Sequence, residues 1–565
     1  MIVGIDFGTS TSEISYVNDQ GQVVLIPNHL GEVITPSAVY LTAEKTPVVG
    51  QEAKEMAIIE PENVALEVKR LFGQGSSLTL RGTAYTPVAV ASMIIEYLVK
   101  CAEEHLGCEI TAAVITVPAY FTDAQRRDVM LAGEMAGLKV ERIINEPTAA
   151  SLDYGIRHMQ DCKHILVYDL GGGTLDVTVL ELFEGVVDVK SSCGNNTLGG
   201  KDFDQAIMEY ALSGIMKKNT VDIKNDARAM TRLKISAEQC KIALSEDSEY
   251  KMELPFLFQE KSGEAGGYSE VITRNRFEQL IEQQVYSTRQ QIETALCDAK
   301  LIPSEIDLVL LVGGSTRIPL VSEFLSEQFG FDTRSVLNPD LAVVRGAAIQ
   351  AGVISGVLDE NAIILTDVSA YSLSVEVLDK SDGFPETYCD VLIPRNTTLP
   401  ASISKVYCTS FDNQTTVHIT TYQGESLYPE ENELLNRFSL SQIPKGRAGK
   451  EKISIRFEYD LNGILVVSAE IISTGKSAVV TLDTAAIGAG LDLEQWKNSP
   501  YAKSYRAVIN KADRMVKVHG DDADAVEAAA QELKKAIILG WETEILVSQM
   551  EKLKREIEVL EDELL

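Results

Sequence analysis

The chain has 565 residues, of which 45% are hydrophobic and 24% are charged, so it has room for about three or four globular domains. Its 51 basic and 83 acidic residues give a net charge of −32, which argues against nonspecific binding to nucleic acid. No apolar stretch reaches membrane-spanning length, and no basic or apolar leader precedes the first strand, so we expect neither a membrane anchor nor a signal peptide.

The first 158 residues alternate between strands and helices. Strands are predicted within residues 1–50, helical patterns follow near 51–72 and 87–106, and residues 112–118 form a short buried strand. The next helix is capped by Thr122 and stops near Gly137. This alternation is typical of a layered α/β architecture.

The same alternation is repeated in the next 200 residues. Strands are predicted at 165–169, 174–181 and 306–314, and helices near 202–217, 226–245 and 276–300. The pattern then changes near residue 358, because the short apolar run 359–367 is followed by short strands with turn signals to about residue 484. This second region is predicted to be an all-β sandwich.

The last part of the chain, from about residue 491, has a helical pattern. Its apolar residues recur at spacings of four and three, at Leu546, Met550, Leu553, Ile557, Leu560 and Leu564. About three heptads are marginal as a free coiled coil, so packing within a small helical bundle is the preferred interpretation.

The eight cysteines are scattered along the chain, and none forms a CxxC pair. This pattern predicts neither a zinc site nor a disulfide framework. Reduced thiols in the cytoplasm are therefore expected.

Two glycine turns carry the strongest chemical signal. IDFGTST contains Asp6 and YDLGGGTLD contains Asp169, and each aspartate follows an apolar strand. Glycines let backbone N–H groups approach phosphate oxygens closely, and carboxylates beside phosphate require a cation between them. The turns therefore predict two related lobes around one polyphosphate and a Mg²⁺ ion. The carboxylates that imply this ion are Asp6, Asp169 and Asp176, and Asp6 and Asp169 are the predicted metal residues, acting through water. A single turn of this kind is also compatible with an ordinary tight hairpin.

Longer motifs along residues 1 to about 484 resemble the seventy-kilodalton heat-shock chaperone family, the DnaK type. The residues that carry this resemblance are VKRLFG, AVITVPAYFTDAQR, INEPTAASLDYG, VYDLGGGTLDV, LGGKDFD, EQCKIALS, LVGGSTRIP, IPRNTTLP, FDNQTTVHI and NGILVVSAE. The compact length and the altered C-terminus resemble the HscC branch of bacterial relatives. The resemblance implies an actin-like two-lobed ATPase domain at 1–358, a linker at 359–367, a β-sandwich peptide-binding domain at 368–486 and a shortened helical lid at 487–565.

The resemblance also implies roles for residues around ATP or ADP with Mg²⁺ and potassium. Lys69 would position the attacking water, Glu146 would orient it, and Asp169, Thr174 and Asp176 would lie around the γ-phosphate and the cations. The other implied nucleotide residues are Asp6, Gly8, Thr9, Ser10, Thr11, Gly171, Gly172, Gly173, Glu238, Lys241, Ser245, Gly313, Gly314, Ser315, Arg317 and Asp340. Without the resemblance, Lys69 is an ordinary surface lysine, and Glu238, Lys241 and Ser245 are one face of an amphipathic helix.

Two further groups of residues concern coupling and peptide binding. Pro118 and Arg126 would relay the nucleotide state to the linker residues Ile363, Ile364, Leu365 and Asp367, and Arg142 would contact a J-domain co-chaperone. The implied apolar peptide cleft consists of Val375, Tyr407, Val417, Ile419 and Ile464, with Leu378 and Ser410 forming an arch over the peptide. The alternatives are that 363–365 is a buried strand of the β-region and that the cleft residues are ordinary core residues.

The expected activity is that of a cytoplasmic ATP-dependent chaperone with client polypeptides, a J-domain co-chaperone and a nucleotide exchange factor as partners, without nucleic acid or membrane. Several departures concern the details: the segment 72–87 is short, the loop 378–391 is long and acidic, and Leu341 stands where the family has glutamate after NPD. The alternatives are a regulator of one client, a small-molecule kinase and an actin-like filament protein. The β-region is unexplained by the last two.

Overall fold

The computed structural model describes residues 1–158, 162–219, 221–260, 264–333, 337–359, 364–379, 386–481, 502–519, 523–539 and 543–563. The chain divides into two compact units, one of Met1–Gly73 with Ser77–Leu482, the other of Gln74–Ser76 with Asp483–Leu565. Within the described ranges, none of the helices combines the length and apolar character needed to cross a membrane.

The first 158 residues contain eleven strands and four α-helices. The strands β1–β11 are Ile2–Phe7, Thr11–Val17, Val23–Leu25, Thr35–Pro36, Ala38–Leu41, Pro47–Val49, Val64–Leu66, Leu78–Leu80, Thr83–Tyr85, Ala112–Val117 and Lys139–Asn145. The helices α1–α4 are Gln51–Ile59, Pro87–Leu106, Asp123–Met135 and Glu146–Gly155. The main sheet has the order β11-β10-β1-β2-β3, with β4 also paired to β2, and β1 is parallel to β10 but antiparallel to β2.

The described residues between 162 and 359 contribute to a second mixed sheet, a separate two-stranded sheet and six helices. The strands β12–β17 are Cys162–Leu170, Leu175–Phe183, Val186–Asn195, Glu249–Gln259, Ala265–Thr273 and Leu308–Val312. Strands β15 and β16 form the two-stranded sheet. The helices α5–α10 are Gly200–Asn219, Ala227–Glu246, Arg274–Ser287, Arg289–Ala299, Pro319–Phe329 and Ala342–Ile354. The second sheet repeats the start of the first, because β12 is parallel to β17 and antiparallel to β13, which continues to β14.

Helices α4 and α10 lie between the two sheets and pack on each other. Gly346 of α10 is required there, since a Cβ atom at this position would collide with the carbonyl oxygen of Ala149 on α4. Side chains of both sheets, including Val114 and Val167, share one hydrophobic core with these helices. The glycine turns at the ends of β1 and β12 are thereby held on a common rigid framework.

Residues 364–481 form the predicted β-rich region. The strands β18–β27 are Ile364–Val368, Leu373–Asp379, Glu386–Ile393, Thr398–Leu399, Ala401–Cys408, Thr416–Gln423, Glu433–Ser441, Lys452–Tyr459, Leu465–Ile471 and Lys476–Thr481. Two four-stranded sheets, β20-β19-β23-β24 and β22-β25-β26-β27, share one apolar core. Strand β18 extends the second α/β sheet and also pairs with β21.

The second unit contains three helices, α11–α13, at Ala502–His519, Asp524–Leu539 and Thr543–Glu563. Leu553, Ile557 and Leu560 are buried in a core shared with residues of the other two helices, such as Ile509 and Leu533. The predicted packing of the heptad residues in a small bundle is therefore confirmed for the side chains that the structure describes.

Two helix predictions were wrong in detail. Residues 51–72 are not one helical stretch, because Val64–Leu66 pairs with β5 and Lys69 lies in a short 3-10 helix that follows Glu67, whose φ is +58°. Pro61 and this left-handed residue interrupt the helical pattern. Residues 276–300 form two helices, separated at Thr288, whose hydroxyl donates to the carbonyl of Val285.

The buried carboxylate of Asp128 on α3 gives a stability prediction. Burial raises its pKa to about 6, although it accepts a 2.8 Å hydrogen bond from Gly73 N. Because the pKa of Asp128 is higher in the folded than in the unfolded protein, ionisation of this carboxyl destabilises the fold. The free energy of unfolding therefore falls as the pH rises from about 4 to 6, and the full penalty is present above pH 6. Asp128→Asn should therefore add about 3 kcal/mol at pH 8 and about half of that at pH 5 in urea unfolding. The exposed control Glu62→Gln should change neither value, and a loss of stability at pH 8 in Asp128→Asn would contradict the assignment.

Candidate functional site

The two glycine turns face each other. A side chain at Gly172 would collide with the Ser10 hydroxyl, and a Cβ atom at Gly173 would lie 3.1 Å from Thr9 Oγ1. The third turn adjoins them, because Ser315 Oγ donates to the carbonyl of Gly171 at 3.0 Å. The structure thus brings together the three turns that the sequence separates by more than 300 residues.

Three aspartates lie at this junction. Asp6 Oδ1 accepts from the Thr116 hydroxyl at 2.6 Å, and Asp176 accepts from the backbone N–H groups of Ala119 and Tyr120 at 3.2 and 3.0 Å. Asp169 is only 4% exposed, and its Oδ2 has no hydrogen-bond partner. The cluster is therefore rich in carboxylate oxygen and deficient in positive charge.

The pKa values of these three aspartates reflect the same shortage of positive charge. Burial, with the nearby Glu146 charge, raises the pKa of Asp6 and that of Asp176 to about 7, and burial raises the pKa of Asp169 well above its ordinary range. Mg²⁺ prefers such oxygen ligands, and the unpartnered Asp169 Oδ2 fits this chemistry. In the described residues, no group of three or more His, Cys, Asp or Glu side chains is arranged to hold a metal ion.

Lys69 is buried at this cluster, with only 2% exposure. Its Nζ donates to Glu146 Oε1 at 2.7 Å and to the carbonyl oxygen of Phe7, next to Asp6. The ammonium group also lies 5.4 Å from the centre of the Phe121 ring. The alternative that Lys69 is a surface lysine is therefore wrong, and the side chain brings a fixed positive charge to the carboxylates.

The predicted adenosine face on α6 lies beside the turns. Glu238 pairs with Lys54 at 2.6 Å and with Lys201 at 2.9 Å, while Lys241 donates to Gly200 O at 3.0 Å. Burial alone would raise the pKa of Glu238, but the two lysine charges lower it to about 2. Ser245 Oγ donates to the Lys241 carbonyl at 3.2 Å. The face is thus an enclosed, charged wall and not an exposed surface.

The remaining predicted nucleotide residues lie along the same turns. Arg317 is exposed and pairs with Asp340, and a Cβ atom at Gly314 would lie 3.3 Å from Asp340 Oδ1. The carbonyl of Thr174 accepts from Gly171 N at 3.1 Å, which closes the second turn. Gly8 lies in the first turn and accepts a 2.8 Å hydrogen bond from the Ser37 hydroxyl. Thr11 is exposed, and Gly313 adopts a φ of +80°.

Two of the predicted coupling residues, Arg126 and Asp367, are linked by hydrogen bonds through Asn145. Arg126 is buried, and its guanidinium donates to Ala119 O at 2.9 Å, beside Pro118, and to Asn145 Oδ1 at 2.7 Å. Asn145 Nδ2 in turn donates to both oxygens of Asp367 at 2.9 Å. Arg142 is on the same strand as Asn145, and its charge acts on Asp367.

The apolar segment before Asp367 is the start of β18. Ile364 and Leu365 pair in parallel with Val186 and Val187 of β14, and Ile364 remains 52% exposed. Ile363 lies outside the described residues. Since Asp367 also pairs with Leu399, the strand joins the α/β sheet to the β-rich region.

The predicted peptide-cleft residues are distributed between the two sheets of the β-region. Val375 and Ile419 are buried in its core, and Tyr407 and Val417 pack against that core while remaining partly exposed. Tyr407 donates its hydroxyl to Asp390 Oδ2 at 2.7 Å. Leu378, Ser410 and Ile464 are also partly exposed, and these three do not belong to the core cluster.

Sequence reasoning missed several charged residues at the site. Lys201 and Lys54 both contact Glu238, and Glu67 forms a 2.6 Å ion pair with Lys234. Glu13 was also missed, although a glutamate in the middle of an otherwise buried strand is an unusual choice. The unusual glutamate was the available signal, whereas its pairing with Asp6 follows only from the strand register.

Comparisons with known proteins agree with this arrangement. A family model described as Hsp70 protein matches residues 2–564. The chaperone protein DnaK of Thermotoga neapolitana is 43% identical over 484 residues, which cover 85% of this chain and 80% of the relative. The chaperone protein DnaK of Thermotoga petrophila and that of Thermotoga maritima have the same identity and coverage. The chain belongs to the Hsp70 family.

Proposed function

We propose that this chain is an ATP-dependent molecular chaperone that binds and releases extended apolar segments of client polypeptides. The observation that carries the proposal is strand Ile364–Val368, which pairs with β14 of the sheet that bears Asp169 and with β21 of the β-rich region. A change at the nucleotide turns thus has a covalent and hydrogen-bonded route to the β-rich region, which is the proposed location of the peptide site. This arrangement suits a switch and has no use in a small-molecule kinase.

The chemistry of the switch is ATP hydrolysis, with Mg²⁺ supplying charge neutralisation of the phosphates. Asp6 and Asp169 would hold the ion, through water, since they are the carboxylates nearest the facing turns. Lys69 supplies a fixed positive charge, and Glu146, 2.7 Å from it, is placed to orient a water molecule. Thr174 and Asp176 would lie beside the γ-phosphate and a potassium ion.

The proposed organisation is a two-lobed actin-like ATPase domain at 1–358, a linker at 359–367, a β-sandwich at 368–486 and a short helical lid at 487–565. The two similar mixed sheets, held together by α4 and α10, support the two lobes. The Arg126–Asn145–Asp367 contacts support a coupling route in which nucleotide state decides whether the linker strand stays paired with β14.

The peptide site is proposed at the partly exposed edge of the β-sandwich core. Tyr407 and Val417 offer apolar surface beside buried Val375 and Ile419, and Leu378 and Ser410 would cover the bound chain. An extended peptide would gain main-chain hydrogen bonds there and place one side chain in the apolar cleft. A J-domain protein acting near Arg142 and a nucleotide exchange factor are the proposed co-chaperones, and the free cysteines in the described residues accord with a cytoplasmic location.

The proposal predicts that ATP hydrolysis responds to peptide. We expect an apolar heptapeptide and a J-domain protein each to raise the slow basal rate several-fold, and the two together to raise it further. A heptapeptide with its leucines replaced by glutamate is the matched control and should have no effect. If the rate of ATP hydrolysis does not change with peptide or J-domain protein, but phosphate is transferred to glycerol or a hexose, the chaperone assignment is wrong.

A further inference from the structure

Glu13 is a second acidic residue directly opposite Asp6. The two residues are cross-strand partners in the antiparallel pairing of β1 with β2. Side chains of opposed residues project from the same face of a sheet, with Cβ atoms about 4.5–5.5 Å apart. Glu13 is only 3% exposed, whereas Asp6 is partly exposed towards the site. The sheet therefore places a buried glutamate directly behind the aspartate of the first glycine turn.

The surroundings of Glu13 supply little to balance its charge. On the same face of the sheet Ser15 Oγ donates to Val344 O of α10 at 2.8 Å, so this side is closed by helix packing. The charged groups that act on Glu13 most strongly are Asp6, Asp340 and Glu146. All three are acidic.

Opposed like charges are destabilising, and a buried carboxylate without a cation is costly. A separate observation, at Asp169, indicates where a cation would lie. Asp169 Oδ2 is buried without a hydrogen-bond partner, and the charged groups that act on Asp169 include Asp6 and Glu146, which also act on Glu13. A buried carboxylate oxygen that lacks a hydrogen-bond donor, among several other carboxylates, is a suitable contact for a cation with its water shell.

We propose that Glu13 is a cation-positioning residue, which together with Asp6 raises the affinity of the nucleotide-bound protein for its divalent cation. The inference rests on the proposed nucleotide site and adds to it a carboxylate that does not follow from the glycine turns. Its charge acts behind Asp6, so its removal should weaken cation binding about tenfold, as is common for residues that support metal ligands.

The test uses the full chain and the isosteric variant Glu13→Gln. The rate of release of a fluorescent ADP analogue is measured against Mg²⁺ concentration at pH 8, together with urea unfolding of the nucleotide-free protein. We expect the Mg²⁺ concentration for half-maximal slowing to rise about tenfold in Glu13→Gln, with no loss of stability in the nucleotide-free protein. Asp128→Asn, which neutralises a buried carboxylate away from the site, is the matched control and should leave the Mg²⁺ midpoint unchanged.

Each other outcome overturns the inference. A Mg²⁺ midpoint within twofold of the wild type shows that Glu13 does not serve the cation. A raised midpoint with lost stability, or a Glu13→Gln protein that does not fold, shows that the carboxylate serves the fold. If the wild type itself binds no ADP, or releases it independently of Mg²⁺, the proposed nucleotide site fails as well, so the two failures are distinguishable.

Discussion

Replacement of Lys69 by alanine is expected to lower the rate of ATP hydrolysis by about 10²–10³-fold, as is typical when a preorganised charge at a reaction centre is removed. Lys69 is buried, 2.7 Å from Glu146 and hydrogen-bonded to the carbonyl of Phe7 beside Asp6. Among the described residues, no other lysine forms an ion pair with Glu146. ATP binding should be retained, because Glu238 and Lys241 on α6 form their own contacts.

Single-turnover hydrolysis and ATP affinity should be measured separately for Lys69→Ala. Lys100→Ala is the matched control, since Lys100 is 61% exposed and pairs only with Glu96 in the same helix turn. An unfolding curve for Lys69→Ala checks that leaving Glu146 without its partner has not disrupted the fold. A folded variant that binds ATP and hydrolyses it within threefold of the wild-type rate would contradict the catalytic assignment.

Replacement of Asp367 by alanine is expected to remove most of the effect of ATP on peptide release. Asp367 is 6% exposed and accepts hydrogen bonds from Asn145 at 2.9 Å and from Thr148 at 3.4 Å. A buried hydrogen bond to a charged group contributes about 1.5–3 kcal/mol, so the loss of these bonds should weaken the anchoring of β18 beside β14. The acceleration of peptide release by ATP should fall about tenfold or more, while peptide affinity in ADP stays unchanged.

Stopped-flow release of a labelled apolar peptide measures this effect. Glu458→Gln is the control, because Glu458 is exposed on strand β25 of the β-region and takes part in only a 3.7 Å ion pair with Arg456. Normal acceleration by ATP in Asp367→Ala would show that the linker strand does not carry the signal.

The strands and the glycine turns could be predicted from the sequence because their signals are local. Six consecutive buried residues in Ala112–Val117, or the capping box of Thr122 with Gln125, need no tertiary information. The meeting of the turns of Gly8 and Gly172 could be predicted from their chemistry, since two phosphate-binding turns are useful only when they share a ligand.

Other features depend on contacts distant in the chain. The segment before Lys69 has a helical pattern, yet Val64–Leu66 becomes a strand because β5 offers it backbone partners. Lys69 is buried only because Glu146, 77 residues away, is brought to its ammonium group. Glu13 is adjacent to Asp6 through strand register, so its role could not be assigned until the pairing was known.

The central claim is that the nucleotide state sets the grip on peptide, and one measurement tests it most directly. A fluorescent apolar peptide is bound to the wild-type protein in ADP, and its release rate is followed after mixing with ATP or with more ADP. The linker contacts through Asp367 predict release about tenfold or more faster in ATP than in ADP. Equal release rates in ATP and ADP, from a protein that binds both nucleotides, would contradict the account.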